Sequence, residues 1–268
     1  MYRLSLKLKA LFLSQVKEVT NILSEFRPIS LEEMDSVKLM DRTDTKFLLS
    51  THNFGDLLRV LLKSYKCLEV EGVRASKYET TYLDTENLDF YIRHHNGKRN
   101  RYKVRFRTYV ESALTFLEVK FKNNKKRTVK NRMVVPAMEE TLSEDSVHFI
   151  RDISGIDYPL ENVLKNDFKR ITLVNSELRE RLTMDMDLSF EAFGKKAEMG
   201  EVIICELKQE KAKRNSPFLE AVRTHRHKPM RISKYCMGIA MMKDGIKRNN
   251  FKENFLILEK FNDDNRAA

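Results

Sequence analysis

Charged and apolar residues alternate through two neighbouring segments of the chain, Arg101–Thr108 and Leu117–Lys122. In the first segment the basic side chains occupy every second position, at Arg101, Lys103, Arg105 and Arg107. Because successive side chains of a strand point to opposite faces, the cations share one face and the apolar side chains share the other. The connecting residues 110–115 are few enough for a hairpin loop, so the two segments are predicted to form an antiparallel hairpin with a basic face.

The same alternation recurs elsewhere and extends the prediction from a hairpin to a larger sheet. Three more segments place polar or charged side chains at alternate positions, namely Arg42, Asp44 and Lys46; Arg181, Thr183, Asp185 and Asp187; and Glu206 and Lys208. Many strands with one charged face favour a closed antiparallel β-barrel with a polar interior. The alternative is a solvated basic face on an ordinary sheet.

Apolar residues at helical spacing predict helices that flank this sheet, which makes the predicted fold class α+β. The predicted helices cover residues 10–26, 52–68 and 216–225, and residues 137–170 are predicted to form an all-helical insertion or to pack on a face of the sheet. The predicted domain organisation is an N-terminal helix over residues 1–27, a main domain over residues 28–242 and a C-terminal extension over residues 243–268.

The net charge of the chain indicates which class of partner it binds. Lys and Arg number 50 against 39 Asp and Glu, and the formal net charge is +11 at pH 7. This excess indicates an anionic partner, such as a nucleotide, polyphosphate, nucleic acid or an acidic membrane surface. The three cysteines, Cys67, Cys205 and Cys236, are too widely spaced for a disulfide framework or a zinc pattern. Since no apolar run is long enough to span a membrane, a cytoplasmic location is predicted.

Eight short motifs follow one another in a characteristic order. They are DTKF at 44–47, YETTYLDT at 78–85, YKVRFRTY at 102–109, LEVKFKNN at 117–124, RTVKNR at 127–132, RLTMDMDL at 181–188, CELK at 205–208 and PMRISKY at 229–235. This set resembles the VTC domain, the polyphosphate polymerase domain of the yeast vacuolar transporter chaperone complex and of many bacterial proteins, which belongs to the triphosphate tunnel metalloenzymes. The resemblance implies a barrel whose basic tunnel binds ATP with Mn²⁺ or Mg²⁺ and transfers the γ-phosphate to a growing polyphosphate chain.

The resemblance also implies roles for individual residues. Those that would bind the phosphates and take part in the transfer are Lys46, Arg105, Arg107, Lys120, Lys130 and Arg181. Glu206 would bind the metal and act in catalysis, and Arg231 and Lys234 would bind substrate. Phosphoryl transfer needs positioned cations and a metal that bridges phosphate oxygens, so these residue types suit the chemistry.

Two positions depart from the family pattern, and two further metal candidates remain. Asp44 stands where the wider superfamily has a glutamate, and this shorter carboxylate could shift or remove a metal role there. Arg231 stands where the yeast enzyme has a lysine, which keeps the charge but changes its geometry. Glu118 is a second candidate for the metal, and the pair Asp185 and Asp187 is a third.

Other functions remain open at this point. The same scaffold could support a triphosphatase that hydrolyses inorganic triphosphate or a nucleoside triphosphate, or a non-catalytic polyphosphate-binding module. Single-stranded nucleic acid is disfavoured, because Tyr102, Phe106 and Phe121 alternate with the cations and therefore point away from them. The chain has no glycine-rich phosphate loop of the known kinds. An unidentified membrane partner that accepts the product also remains open.

Overall fold

The structure is a computed structural model that describes residues 17–36, 43–125, 127–210 and 215–267. Its α-helices are α1 (17–25), α2 (Leu31–Ser36), α3 (Phe54–Leu61), α4 (Asp89–His95), α5 (Glu144–Ser154), α6 (Pro217–Thr224), α7 (Lys234–Met242) and α8 (Lys252–Ala267). Its strands are β1 (Arg27–Ile29), β2 (Thr43–Ser50), β3 (Lys66–Leu68), β4 (Ala75–Asp84), β5 (Arg101–Tyr109), β6 (Leu114–Lys122), β7 (Thr128–Val135), β8 (Glu161–Asn175), β9 (Glu180–Ala192), β10 (Lys195–Glu198) and β11 (Val202–Gln209). No helix in these ranges is long and apolar enough to cross a membrane.

The described residues divide into two compact units. Unit one lies within Met1–Ala75, Arg170–Asp185 and Glu201–Arg231. Unit two lies within Ser76–Lys169, Met186–Gly200 and Ile232–Ala268. Strands β8 and β9 each contribute residues to both units.

The sheet of unit one is organised around β11, which pairs antiparallel with β2 on one side and with β9 on the other. The register places Glu206 directly opposite Lys46 of β2 and Thr183 of β9. Directly opposed residues of antiparallel strands share a face of the sheet. The polar positions of three strands therefore lie on one face of unit one.

Helix α6 packs against the apolar face of this sheet. Ser216 caps the helix by accepting the backbone N–H of Leu219 at 3.4 Å, and Pro217 occupies the first turn, where its missing N–H costs nothing. The ring of Phe218 is fully buried and meets the ring of Phe47 from β2 edge-on, with centroids 5.5 Å apart. Because one face of the sheet is covered in this way, the polar face is the other one.

The sheet of unit two contains β4, β5, β6 and β7 in that hydrogen-bonded order, all antiparallel. The register places Arg105 opposite Tyr82 of β4 and Glu118 of β6. It also places Lys120 opposite Lys130 of β7. The predicted hairpin is therefore present, and its basic positions share one face with polar and aromatic positions of the flanking strands.

The other face of this sheet forms the hydrophobic core of unit two. Its central members are Val104, Phe106, Leu117 and Val119 of β5 and β6, together with Ile150 of α5. Helix α5 begins at the cap residue Ser143, whose side chain accepts the N–H of Ser146, and ends at Gly155, whose φ of 68° closes the helix. The apolar residues that alternate with the cations on β5 and β6 thus form the core that holds the basic face in place.

The predicted α+β class, with antiparallel strands and flanking helices, is confirmed. The word barrel describes the sheet only loosely, because the hydrogen-bonded strand order within each unit is open across the described residues. The predicted domain boundaries at residues 27 and 242 remain a prediction. Part of the predicted N-terminal helix, residues 10–16, lies outside the described residues, as does Arg42.

Two predictions of helix are wrong in part. Residues 137–170 are not all helical, because β8 begins at Glu161 and buries Leu164, Asn166 and Phe168 at a period of two. The predicted helix over residues 52–68 ends at Leu61, and Lys66–Leu68 instead forms β3, which pairs parallel with β1. In both segments the pairing with a neighbouring strand overrides the local apolar spacing.

Candidate functional site

The first candidate surface is the polar face of the sheet in unit two, called here the Arg105 face. It comprises Tyr82, Arg105, Arg107, Glu118, Lys120 and Lys130. All six lie on β4 to β7 at positions that the register puts on the same side. The strands thus gather four of the predicted phosphate-binding cations without any loop.

Glu118 lies at the centre of the Arg105 face and is fully buried. Arg105 donates from Nε to one carboxylate oxygen at 2.7 Å and places Nη2 2.6 Å from the same oxygen, and Lys130 contacts the other oxygen. Burial favours the neutral acid, but the charges of Arg105 and its basic neighbours outweigh burial and hold the pKa of Glu118 well below its ordinary value. Since Glu118 is fully buried and both its oxygens contact cations, whereas the Glu206 side chain is 21% exposed, Glu118 is the poorer choice for the metal ligand.

Among the cations of the Arg105 face, Lys120 has the least negative charge near it to offset its own charge. Within the described ranges, no carboxylate lies within 4.0 Å of its Nζ. The charge of Arg105, followed by burial, holds the pKa of Lys120 well below its ordinary value. One buried carboxylate therefore stands against four basic side chains, and the face carries a positive potential that favours an anion.

Aromatic rings hold two of the predicted cations. The guanidinium carbon of Arg107 lies 5.6 Å from the ring centroid of Tyr78 and 5.8 Å from that of Phe168, and Nε donates to Thr80 at 3.4 Å. The rings of Tyr78 and Phe168 are stacked with centroids 5.2 Å apart. Lys234, the first residue of α7, places Nζ 4.5 Å from the Phe168 centroid. Phe168 thus presents its ring to two cations.

The second candidate surface is the polar face of the sheet in unit one, called here the Glu206 face. It comprises Lys46, Arg170, Arg181, Thr183, Asp185, Glu206 and Lys208. Glu206 accepts Lys46 Nζ at 2.6 Å and lies 3.3 Å from Lys208 Nζ. Burial opposes ionisation of Glu206, but Lys208 and Lys46 outweigh it and hold the pKa of this carboxyl well below its ordinary value. Glu206 is therefore ionised and ready to act as an oxygen ligand.

Asp185 and Asp187 do not form a metal pair. Arg170 donates to both oxygens of Asp185, from Nε at 2.5 Å and from Nη2 at 2.7 Å, and this bidentate contact leaves little room for a cation. The backbone of Asp187 has a φ of 53°, which interrupts the strand alternation, and its carboxylate lies 3.0 Å from Lys169 Nζ. The prediction that these two aspartates share a face and could bind a metal is not supported by these contacts.

Glu206 suits a hard divalent cation only as part of a mixed ligand set. Across the described residues, no group of three or more His, Cys, Asp or Glu side chains could hold a metal ion. Mg²⁺ and Mn²⁺ accept oxygen ligands and commonly use one or two carboxylates with phosphate oxygens and water. One ionised carboxylate among cations that attract phosphate fits that pattern.

The nine predicted site residues are divided between the two units. Unit one holds Lys46, Arg181, Glu206 and Arg231, and unit two holds Arg105, Arg107, Lys120, Lys130 and Lys234. Arg181 lies on β9 opposite Lys208 and donates to the backbone oxygen of Met34 in α2 at 3.4 Å. Arg231 is exposed in the segment that leads to α7.

Sequence reasoning assigned no role in binding to Lys208, Arg170 or Phe168. Lys208 was identified in the same alternation as Glu206, and its position there could have suggested a role. Arg170 and Phe168 lie on β8, in the segment predicted to be helical. The signal that could have found them is the period of two through Leu164 and Phe168.

Comparisons with known proteins agree with the resemblance described above. The profile of the VTC domain family matches residues 41–243, which is more than half of the chain. No curated protein is significantly similar in sequence.

Three solved structures resemble the chain distantly. A candidate adenylyl cyclase from Hippeastrum with a dominant triphosphatase activity is 15% identical, covers 77% of this chain and 98% of its own, and has a TM-score of 0.47. A candidate adenylate cyclase from Bacillus halodurans is 12% identical over 72% and 96% of the two chains, with a TM-score of 0.44. One from Vibrio parahaemolyticus is 12% identical over 70% and 85%, with a TM-score of 0.38. At these values the likenesses carry no argument about activity.

The assignment therefore rests on the family profile, whose matched range contains every predicted site residue from Lys46 to Lys234. By that match, the chain belongs to the VTC domain family.

Proposed function

We propose that the protein is a metal-dependent polyphosphate polymerase, which transfers the γ-phosphate of ATP to a growing polyphosphate chain. The observation that carries the proposal is the Arg105 face, where four basic side chains surround a single buried carboxylate. The family resemblance supports polymerisation as the particular phosphate chemistry. The structure supports the binding of phosphate and leaves the choice of acceptor to experiment.

The Arg105 face has the properties that phosphoryl transfer demands of a protein. Transfer of a phosphoryl group spreads negative charge over its oxygens, and fixed cations stabilise that charge. Arg105 is held by Glu118, and Arg107 is held by two aromatic rings. Both guanidinium groups are therefore ordered before the substrate arrives, which reduces the entropy lost on binding.

Glu206 is the residue that we propose to hold the divalent ion. When bound, such an ion would neutralise part of the charge of the phosphates. Lys46 and Lys208 keep the carboxylate ionised and would bind phosphate oxygens themselves. The nine residues proposed to act on the substrate are Lys46, Arg105, Arg107, Lys120, Lys130, Arg181, Glu206, Arg231 and Lys234.

The test is to incubate the purified protein with ATP and either Mn²⁺ or Mg²⁺ and to measure long-chain polyphosphate and free phosphate separately. Accumulation of polymer is the expected result. Free phosphate without polymer would replace the proposal with a triphosphatase. Binding of polyphosphate without turnover under either metal would replace it with a non-catalytic binding module.

A further inference from the structure

Helix α7 packs closely on two strands of unit two. A Cβ atom built on Gly238 would lie 2.6 Å from the side chain of Leu164 on β8 and 2.7 Å from that of Phe190 on β9. Atoms in a folded protein do not approach one another so closely, so a larger residue here would force the helix or its neighbours to move. The middle of α7 is therefore fixed by its contact with the strands.

The first turn of α7 carries a residue proposed to bind substrate, Lys234, whose Nζ lies 4.5 Å from the ring centroid of Phe168. Ser233 caps this turn by accepting the backbone N–H of Cys236 at 3.3 Å. The same hydroxyl accepts a hydrogen bond from Lys103 Nζ at 2.9 Å. Because the ends of a helix fray more readily than its middle, the direction of Lys234 depends on how firmly this turn is held.

A buried carboxylate holds this turn from another side. Asp84 is the last residue of β4 and is fully buried. Its carboxylate accepts the backbone N–H groups of Thr85, Phe90 and Tyr91 at 2.7, 2.9 and 2.9 Å. The hydroxyl of Tyr235, which lies 151 residues further along the chain, donates to the same carboxylate. Asp84 therefore joins the start of α4 to the start of α7.

Asp84 differs from Glu118 and Glu206 in the way its carboxylate is stabilised. In the part of the chain that the structure describes, no Lys or Arg nitrogen lies within 4.0 Å of it. Burial raises the pKa of Asp84, and its hydrogen bonds, that from Tyr235 foremost, oppose this effect. The buried carboxylate thus depends on its hydrogen-bond donors, because it has no counter-ion.

The ring of Tyr235 is confined as well as its hydroxyl. It packs against the ring of Tyr82 with centroids 5.0 Å apart and meets the ring of Tyr91 edge-on at 6.4 Å. A tyrosine side chain has only two torsions to fix, so these rings and the bond to Asp84 together leave it a single orientation. The backbone of Tyr235 is held with it, and so is the neighbouring residue Lys234.

We propose that Asp84 is a positioning residue, which acts through the hydroxyl of Tyr235 to hold the first turn of α7 and direct Lys234 at bound phosphate. This proposal rests on the proposed function and deepens it, because it identifies a buried pair that sets how well a substrate-binding cation is ordered. Neither Asp84 nor Tyr235 touches the substrate. Without their hydrogen bond, the side chain of Lys234 would have to be ordered when phosphate binds, which lowers the affinity.

The experiment measures the affinity of the full chain for tripolyphosphate by calorimetric titration, with neither ATP nor metal present. Tyr235→Phe removes one hydroxyl and keeps the buried ring. It should lower the affinity about 2–10-fold, the loss expected when one long side chain must be ordered on binding. The matched control is Tyr91→Phe, which removes the hydroxyl that donates to the backbone oxygen of Lys247 at 2.9 Å. This control should lower stability and leave the affinity unchanged.

A double-mutant cycle separates positioning from a general loss of packing. In a Lys234→Met background, Tyr235→Phe should lower the affinity by less than about twofold, because the side chain that the hydroxyl positions is gone. The same loss in both backgrounds would overturn the proposal. Circular dichroism checks that the variants fold, and Asp84→Asn, which keeps the size of the side chain, replaces Tyr235→Phe if that variant does not.

The remaining outcomes distinguish this proposal from the proposed function. Equal affinities of the unmodified protein and Tyr235→Phe would reject the positioning role alone, and so would equal losses in Tyr235→Phe and Tyr91→Phe. If the unmodified protein binds no tripolyphosphate, the proposed function and the positioning role are both rejected. Because no turnover is measured, a failed polymerase assay leaves the result of the binding experiment intact.

Discussion

Lys46 and Glu206 lie directly opposite each other on β2 and β11, with Lys46 Nζ 2.6 Å from the Glu206 carboxylate. Lys46 has two opposite effects on the ability of Glu206 to bind a metal. Its charge keeps the carboxylate ionised, and it also occupies an oxygen that a metal would need. A phosphate bound at the Glu206 face would resolve this conflict, because it would offer Lys46 a new anionic partner.

Replacing Glu206 by Gln should therefore weaken Mn²⁺ binding in the presence of tripolyphosphate. The expected loss is about 10–100-fold or more, since even an outer partner of a metal ligand costs that much. The measurement is the free Mn²⁺ concentration by electron paramagnetic resonance, which does not depend on turnover. The control is Glu210→Gln, which removes another carboxylate of unit one, paired with Arg179 at 3.2 Å. Equal Mn²⁺ affinity in the two variants would remove the metal role of Glu206.

Replacing Lys120 by Met should weaken binding and preserve or raise stability at the same time. Lys120 is repelled by Arg105 and its neighbours in the absence of an anion, so the folded protein loses little when this charge is removed. Affinity for tripolyphosphate should fall about 10–150-fold, as expected for one charge-assisted contact of about 1.5–3 kcal/mol. Calorimetric titration and thermal unfolding measure the two effects. Lys196→Met is the control, and a lower melting temperature for Lys120→Met would contradict the argument.

Replacing Phe168 by Leu should weaken phosphate binding through Arg107 and Lys234, which both contact its ring. The cation–π contacts are worth about 0.5–2 kcal/mol, so affinity for tripolyphosphate should fall by a factor of about 2–30. Phe168→Tyr keeps the ring and should restore binding. Phe190→Leu, at another buried ring of unit two, should lower stability without this loss of affinity. Equal affinities in the two leucine variants would show that Phe168 only packs.

The two faces could be predicted from the sequence to the extent that strand alternation determines them. Lys103, Arg105 and Arg107 share a face because side chains alternate, and this needs no knowledge of the neighbouring strand. The pairing partners could not be predicted in this way, because the register that places Glu118 opposite Arg105 depends on loop length and packing. The sequence identified the cations and could not show that Glu118 is their buried counter-ion.

Arg170 illustrates a different limit of prediction from sequence. Its strand β8 runs for 15 residues, but few β-branched residues occur before Arg170, and the apolar spacing there resembles a helix. The strand forms because its neighbours in the sheet supply hydrogen bonds, and those neighbours are distant in sequence. The bidentate pair of Arg170 with Asp185 therefore emerged only from the structure, and with it the reason that Asp185 is a poor metal ligand.

Replacing Glu118 by Gln should destabilise the protein at neutral pH. It should also make the free energy of unfolding depend less on pH in the acid range. The pKa of Glu118 is depressed in the folded state, so its stabilisation is fully present above the ordinary value of 4.5 and is lost as pH falls below it. Loss of one partner from a buried ion pair costs about 3–5 kcal/mol. Urea unfolding above and below pH 4.5 measures both effects. The control is Glu79→Gln, at a partly exposed carboxylate paired with Lys77, which should cost no more than about 1 kcal/mol. If both variants lose stability in parallel with the unmodified protein as pH falls, Glu118 is not the ionised centre of the Arg105 face.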